Sequence, residues 1–276
     1  MTRTTAILGK GGSGKTFVAA HVAMSLGYMG LRTLLVGCDQ KNDATRALST
    51  DTRKPLLNAL EEVKFAYDEL ALSDLIVKIS DYVDVIELGG SQLLVGHYGN
   101  VLDEAFHTFD IHQVWDDYEQ VIFDMTDERF DATSALLFRK VQGAIAVTTE
   151  ETSSLFILNR LLRAILIGAN EYGTQMQVLG VINNRSTQPR AFERYTELTR
   201  IFPLMTVPSL KDLATLRPFH RTLLTLAKEP PHLKPVVDGF IRIADLLRVD
   251  PFVLYPLSPM ADEDIWGLEP PMSLDN

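Results

Sequence analysis

The chain has 276 residues, 46% of them hydrophobic and 22% charged, with a formal net charge of −10. This composition suits a globular α/β protein of one large or two small domains, and the charge excludes a protein that coats nucleic acid over its whole surface, leaving only a local basic patch open. The single cysteine, Cys38, excludes an internal disulfide and suits a reducing cytoplasm; no apolar run reaches transmembrane length, and the N-terminus reads as a strand rather than a signal peptide.

The first predicted strand is Ala6-Ile7-Leu8, and the helix after it begins with Phe17–Ala23. Further short, β-branched apolar runs predict strands at Thr33–Gly37, Val83–Glu87, Gln120–Asp124, Ala144–Thr148 and Val178–Ile182, with a weaker one at Leu204–Val207. Helical stretches lie between them. The clearest runs from Ser153 to Gly168, where Leu155, Leu158, Leu162, Ile165 and Leu166 share one face while Arg160 and Arg163 read as solvating the outer side. Alternation of this kind predicts a doubly wound, mainly parallel sheet with helices on both faces, and ligands at the carboxyl ends of the strands. Residues 1–249 read as one domain. Residues 250–276 read as a tail rich in proline (Pro251, Pro256, Pro259, Pro270, Pro271) and acid (Asp262, Glu263, Asp264). The tail is expected to lie extended over the domain; docking to a partner through Phe252 or Ile265-Trp266 is the other reading.

Between the first strand and helix lies Gly9-Lys10-Gly11-Gly12-Ser13-Gly14-Lys15-Thr16, which fits the phosphate-loop pattern G-x-x-x-x-G-K-[ST]. Glycines let the backbone N–H groups of Gly11, Gly12, Ser13 and Gly14 curl around a phosphate, and the helix start adds unpaired donors beside the anion. Lys15 is placed to neutralise β- and γ-phosphates, and the Thr16 hydroxyl to ligate Mg²⁺. Nucleotide binding follows.

Lys10, a second lysine inside the loop, makes the chain resemble the deviant Walker A ATPases. That group includes the ParA and MinD positioning ATPases, the arsenite-pump and tail-anchored-protein ATPases, and the nitrogenase iron protein with its relatives. The resemblance implies that Lys10 reaches across a homodimer interface to the partner's nucleotide, so that ATP binding drives dimerisation. Cys38-Asp39-Gln40-Lys41-Asn42-Asp43-Ala44-Thr45-Arg46 is similar to switch I of the nitrogenase iron protein and the dark-operative protochlorophyllide reductase ATPase. By that match Asp39 and Asp43 hold Mg²⁺-bound waters and orient the attacking water, and Lys41 lies near the phosphates. Gln40 replaces the family's proline. Asp124, closing an apolar strand, stands at the Walker B position facing the Mg²⁺ shell.

The departures matter as much. After Asp124 the family continues D-x-x-G-D; here Asp127 replaces the glycine, either turning away from the γ-phosphate or opposing it, and Glu128 takes the place of the second aspartate, where it could position water. The stretch Gly89–Gly99 resembles the segment that carries the first cluster cysteine in the iron protein, but His97 occupies that position and the second cysteine falls near Asp131. A [4Fe–4S] cluster held by two cysteines from each of two subunits is therefore not expected; His97 and Asp131 pairs on a dimer axis are left as a zinc hypothesis. Asn184, or else Asn183, matches the residue that reads adenine, and Pro208 matches the segment that packs around the base.

These residues imply an ATP- and Mg²⁺-dependent dimerising switch without an iron–sulfur cluster, signalling to a protein partner in the manner of cargo positioning or partitioning. The alternatives are the ATPase component of a nitrogenase-like reductase and a metal-centre maturation ATPase. Arg185, Arg190, Arg194, Arg200, Lys211, Arg217 and Arg221 make non-specific DNA a candidate partner. A membrane is not one, since the acidic end lacks a basic amphipathic helix.

Overall fold

Apolar residues on both faces of a strand demand cover on both sides, and that requirement shapes this chain. The computed structural model describes residues 2–90, 98–126, 139–172, 176–187, 190–209, 233–249, 258–266 and 268. Among them are the strands β1 (Arg3–Gly9), β2 (Thr33–Gly37), β3 (Val77–Lys78), β4 (Val83–Glu87), β5 (Gln120–Asp124), β6 (Gly143–Thr148), β7 (Gln177–Ser186) and β8 (Pro203–Pro208). They form one sheet in the order β3-β4-β2-β5-β1-β6-β7-β8. Every pairing is parallel except the edge pair of β3 with β4. The expected doubly wound, mainly parallel architecture is the observed one. The antiparallel edge was not foreseen, because β3 spans only Val77–Lys78, too short to show a period.

The helices are α1 (Lys15–Tyr28), α2 (Asp43–Leu48), α3 (Leu56–Glu62), α4 (Tyr98–Ile111), α5 (Val114–Asp117), α6 (Thr152–Tyr172), α7 (Arg190–Thr199), α8 (Lys234–Arg248) and α9 (Asp262–Trp266). Successive residues of β1 point to opposite layers. Ile7 packs with Val18 and Val22 of α1 and Phe240 of α8, whereas Ala6 and Leu8 join Leu57 of α3 and Phe106 of α4. A third cluster sets Leu155, Leu158 and Leu162 of α6 against Phe192 and Tyr195 of α7. β1 lies centrally between β5 and β6, so the turn leaving its carboxyl end has Asp124 on one side and Val147 on the other.

Residues 258–266 and 268 settle on α6 and α7. Asn159, wholly buried, donates to the carbonyl of Met260 at 2.9 Å and accepts that residue's N–H at 2.9 Å. The N–H of Ser258 donates to Thr199 O at 3.0 Å, and Ile265 and Leu268 are buried in the third cluster. Arg163, read from sequence as a solvating residue, pairs with Asp262 at 3.0 Å and donates to the carbonyl of Met260. Ile265, one of the residues considered for docking a partner, is therefore part of this chain's own core. Phe252 lies outside the described residues.

Candidate active site

The loop after β1 closes on itself. The N–H of Ser13 and the ammonium of Lys15 both donate to the carbonyl of Lys10, at 3.0 and 3.1 Å. Gly14, at φ +94°, is the N-cap of α1 and makes no side-chain cap bond. The opening N–H groups of the helix are thus left for an anion. A Cβ on Gly14 would stand 2.1 Å from Asn184 Nδ2, so only glycine fits. That same Nδ2 donates to Ser13 O at 2.7 Å, and Arg185, at φ +56°, donates to the carbonyl of Gly12. Two residues at the end of β7 therefore grip the outer side of the loop. The hydroxyl oxygen of Ser13 is buried with no partner, as suits a group awaiting a phosphate.

Lys10 points the other way. Its ammonium donates to Ser153 Oγ at 2.8 Å and lies 3.7 Å from Glu151, at the first turn of α6. Gly11 and Gly12 are exposed on the loop's crown.

Beside the loop, carboxylates gather at the ends of β2, β4 and β5. Asp124 lies level with Ile7 of β1 and Gly37 of β2. It is 3% exposed, and its Oδ1 has no hydrogen-bond partner. Burial pushes its pKa up to about 6, against a hydrogen bond from Thr16 and the charge of Lys15, while Asp39 and Asp43 push it further up. A divalent cation would relieve this arrangement. Among the described residues no cluster of three or more His, Cys, Asp or Glu forms a self-contained metal cage. Mg²⁺ takes one or two protein ligands and completes its shell with phosphate and water. Thr16 and Asp124 are the residues that would hold it, with Asp43 at the first position of α2 close by. When bound, the cation would neutralise charge developing on the phosphates. Asp39 accepts the N–H of Lys41 at 2.9 Å, which holds the turn while the Lys41 side chain stays exposed.

Glu87 was missed in the sequence. It ends β4 at 5% exposure, and burial drives its pKa up to about 7, against hydrogen bonds from Thr45 and assisted by Asp124 and Asp43. Its signal was the one used for Asp124, an apolar strand closing on a carboxylate. Ser153 and Glu151 gave no signal, because their role depends on where α6 begins relative to the loop.

The pattern of the 4Fe-4S iron sulfur cluster binding proteins, NifH/frxC family, matches residues 3–268. The chain belongs to this family. The NifH/frxC chain is 30% identical over 264 residues to the light-independent protochlorophyllide reductase iron-sulfur ATP-binding protein of Methylorubrum extorquens, covering 95% of this chain and 86% of that one. Its fold is that of the septum site-determining protein MinD of Pyrococcus horikoshii, solved with Mg-ADP (TM-score 0.68, 22% identity, 89% of this chain and 95% of that one). It is likewise that of MinD in the MinC:MinD cell division complex of Aquifex aeolicus (TM-score 0.67, 15% identity, 93% and 100%). This NifH/frxC-family member is a P-loop ATPase.

The cluster in the family's description does not fit the residues present. A [4Fe–4S] centre takes four thiolates, and the one cysteine, Cys38, is wholly buried behind β2 with its thiol directed at Val36 O. His97, Asp127, Glu128 and Asp131 lie outside the described residues, as do Lys211, Arg217 and Arg221. Asn183 is wholly buried with neither side-chain polar atom partnered, and Pro208 closes β8 opposite Ser186. Among the described residues no helix is long and apolar enough to cross a membrane.

Proposed function

We propose that this ATPase is a cluster-free switch in which two copies close on ATP and Mg²⁺, open after hydrolysis, and present the two states to a protein partner. Lys15 and the loop N–H groups bind the β- and γ-phosphates, Thr16 and Asp124 hold Mg²⁺, and Asp39 with Asp43 orient the attacking water. The observation that carries the reading is the division between the two loop lysines. Lys15 folds into its own loop, while Lys10 lies on the outer rim with its side chain 35% exposed, where a second copy can be met. Cargo positioning or partitioning is the task that such a switch serves best. The exposed Arg190, Arg194 and Arg200 in and beside α7 offer non-specific contacts to DNA, which added salt would weaken.

Light scattering tests the switch. With a non-hydrolysable ATP analogue and Mg²⁺, wild type runs as a dimer and Lys10→Ala as a monomer. Equal behaviour of the two, monomeric or dimeric, overturns the reading. The similarity to protochlorophyllide reductase ATP-binding proteins favours a second reading, an ATPase component of a reductase. Iron bound stoichiometrically to anaerobically purified protein would establish that alternative.

A further inference from the structure

Glu87 belongs to none of the motifs, yet it lies across β2 from the aspartate that would face Mg²⁺ and bonds to switch I. It pairs in register with Gly37 of β2, and its side chain crosses the end of that strand. A Cβ on Gly37 would stand 1.9 Å from Glu87 Oε2 and 2.9 Å from the Cβ of Ala44. Glycine at position 37 is what lets the carboxylate pass.

From there Oε1 accepts the N–H of Thr45 at 2.5 Å. Thr45 is the third residue of α2, so this bond does what an N-cap side chain ordinarily does for the first turn. The local candidate does not do it. Asn42, the N-cap residue, sits at φ +56° and makes no side-chain cap bond, and its Oδ1 is buried without a partner. α2 has only six residues, so its own hydrogen bonds define its direction poorly and its fixings decide where it points. One fixing is the Glu87 carboxylate, supplied by a strand 42 residues away in sequence.

The geometry points to Glu87 as a positioning residue for switch I: by capping α2 from β4 it sets where Asp43, the first residue of that helix, stands relative to Asp124 and a nucleotide-bound Mg²⁺. This rests on the proposed roles of Asp43 and Asp124. Glu87 acts on α2 through its hydrogen bonds from Thr45, so at this cap reach matters more than charge.

Two conservative variants separate reach from charge. Glu87→Gln keeps an acceptor oxygen at the same distance without the charge; Glu87→Asp keeps the charge and withdraws the oxygens by a methylene. Amide exchange at Thr45 in the nucleotide-free protein reads the cap directly, and a Mg²⁺ titration with a fluorescent ATP analogue reads its consequence. In Glu87→Asp, Thr45 should exchange about tenfold faster while core strands keep their protection. Half-saturation by Mg²⁺ should shift upward roughly fivefold, with affinity in EDTA unchanged. Glu87→Gln should match wild type in exchange at Thr45, the readout that separates reach from charge, since the lost charge also acts on Asp43 and Asp124. Wild-type exchange in Glu87→Asp overturns the proposal, and so does exchange at Thr45 as fast in the Gln variant as in the Asp variant. If wild-type binding shows no dependence on Mg²⁺, the roles of Asp43 and Asp124 fail, while exchange at Thr45 still decides whether Glu87 caps α2.

Discussion

The side-chain amide of Asn184 donates to the carbonyl of Ser13 at 2.7 Å, joining the end of β7 to the middle of the phosphate loop. The match to an adenine reader and this contact predict different losses. As a brace, Asn184 matters for any ligand that fills the loop. Asn184→Ala leaves a carbonyl without its donor and should weaken ATP about tenfold, near 1.4 kcal/mol. Inorganic tripolyphosphate should weaken by the same factor. Competition titrations compare the two, and a loss confined to ATP would assign Asn184 to the base instead.

His21 gives the fold a predictable response to acid. It is buried in α1, its ring stacked on Phe240 at 4.9 Å and its Nδ1 against Phe17 O at 2.7 Å. Burial lowers its pKa to about 4 despite that hydrogen bond. The unfolded chain takes up a proton near pH 6.5 and the folded chain only near 4, so stability is lost as pH falls through that window. The full effect is on the order of 3 kcal/mol. His21→Leu should flatten the decline in melting temperature between pH 7 and pH 4.5. An unchanged decline would place the acid sensitivity elsewhere.

The clasp between Asn159 and Met260 is structural. Asn159→Ala should lower unfolding free energy by about 2 kcal/mol, since the two hydrogen bonds to Met260 and the longer one from Tyr195 go with one side chain. Ile265→Ala should lower it by about 2–4 kcal/mol through the cavity it opens. Denaturant titration measures both. Nucleotide affinity should stay within about twofold of wild type, because at that scale the binding free energy barely moves.

By the sequence match Asp127 replaces a glycine of switch II, where a carboxylate would oppose the γ-phosphate. We expect slow turnover in wild type and a faster rate in Asp127→Gly without any partner. Each tenfold gain corresponds to about 1.4 kcal/mol of barrier. An equal or slower rate in the folded variant removes Asp127 as the brake.

The elements legible in advance were those whose evidence is contiguous. β2, β4 and β5 occupy the predicted spans Thr33–Gly37, Val83–Glu87 and Gln120–Asp124. β7 runs past the predicted Ile182 to Ser186, because pairing with β8 carries polar residues that periodicity alone would end on. The extension is what delivers Asn184 and Arg185 to the loop. Arg163 was misjudged for the same kind of reason: a charged residue beside an apolar helical face looks solvent-bound until the segment at Met260 and Asp262 covers it.

By itself the sequence determined the phosphate loop, the alternation of strand and helix, and the loss of the cluster thiols, since each is a property of neighbouring residues or of simple counts. Only the tertiary structure decided which distant groups meet: Asn184 with Ser13 across 171 residues, Glu87 with Thr45 across 42, Asn159 with Met260 across 101. Strand order and register set those encounters. A run of residue types fixes which face of a strand is buried, but the neighbour of its last carboxylate depends on how all the strands pack into one sheet.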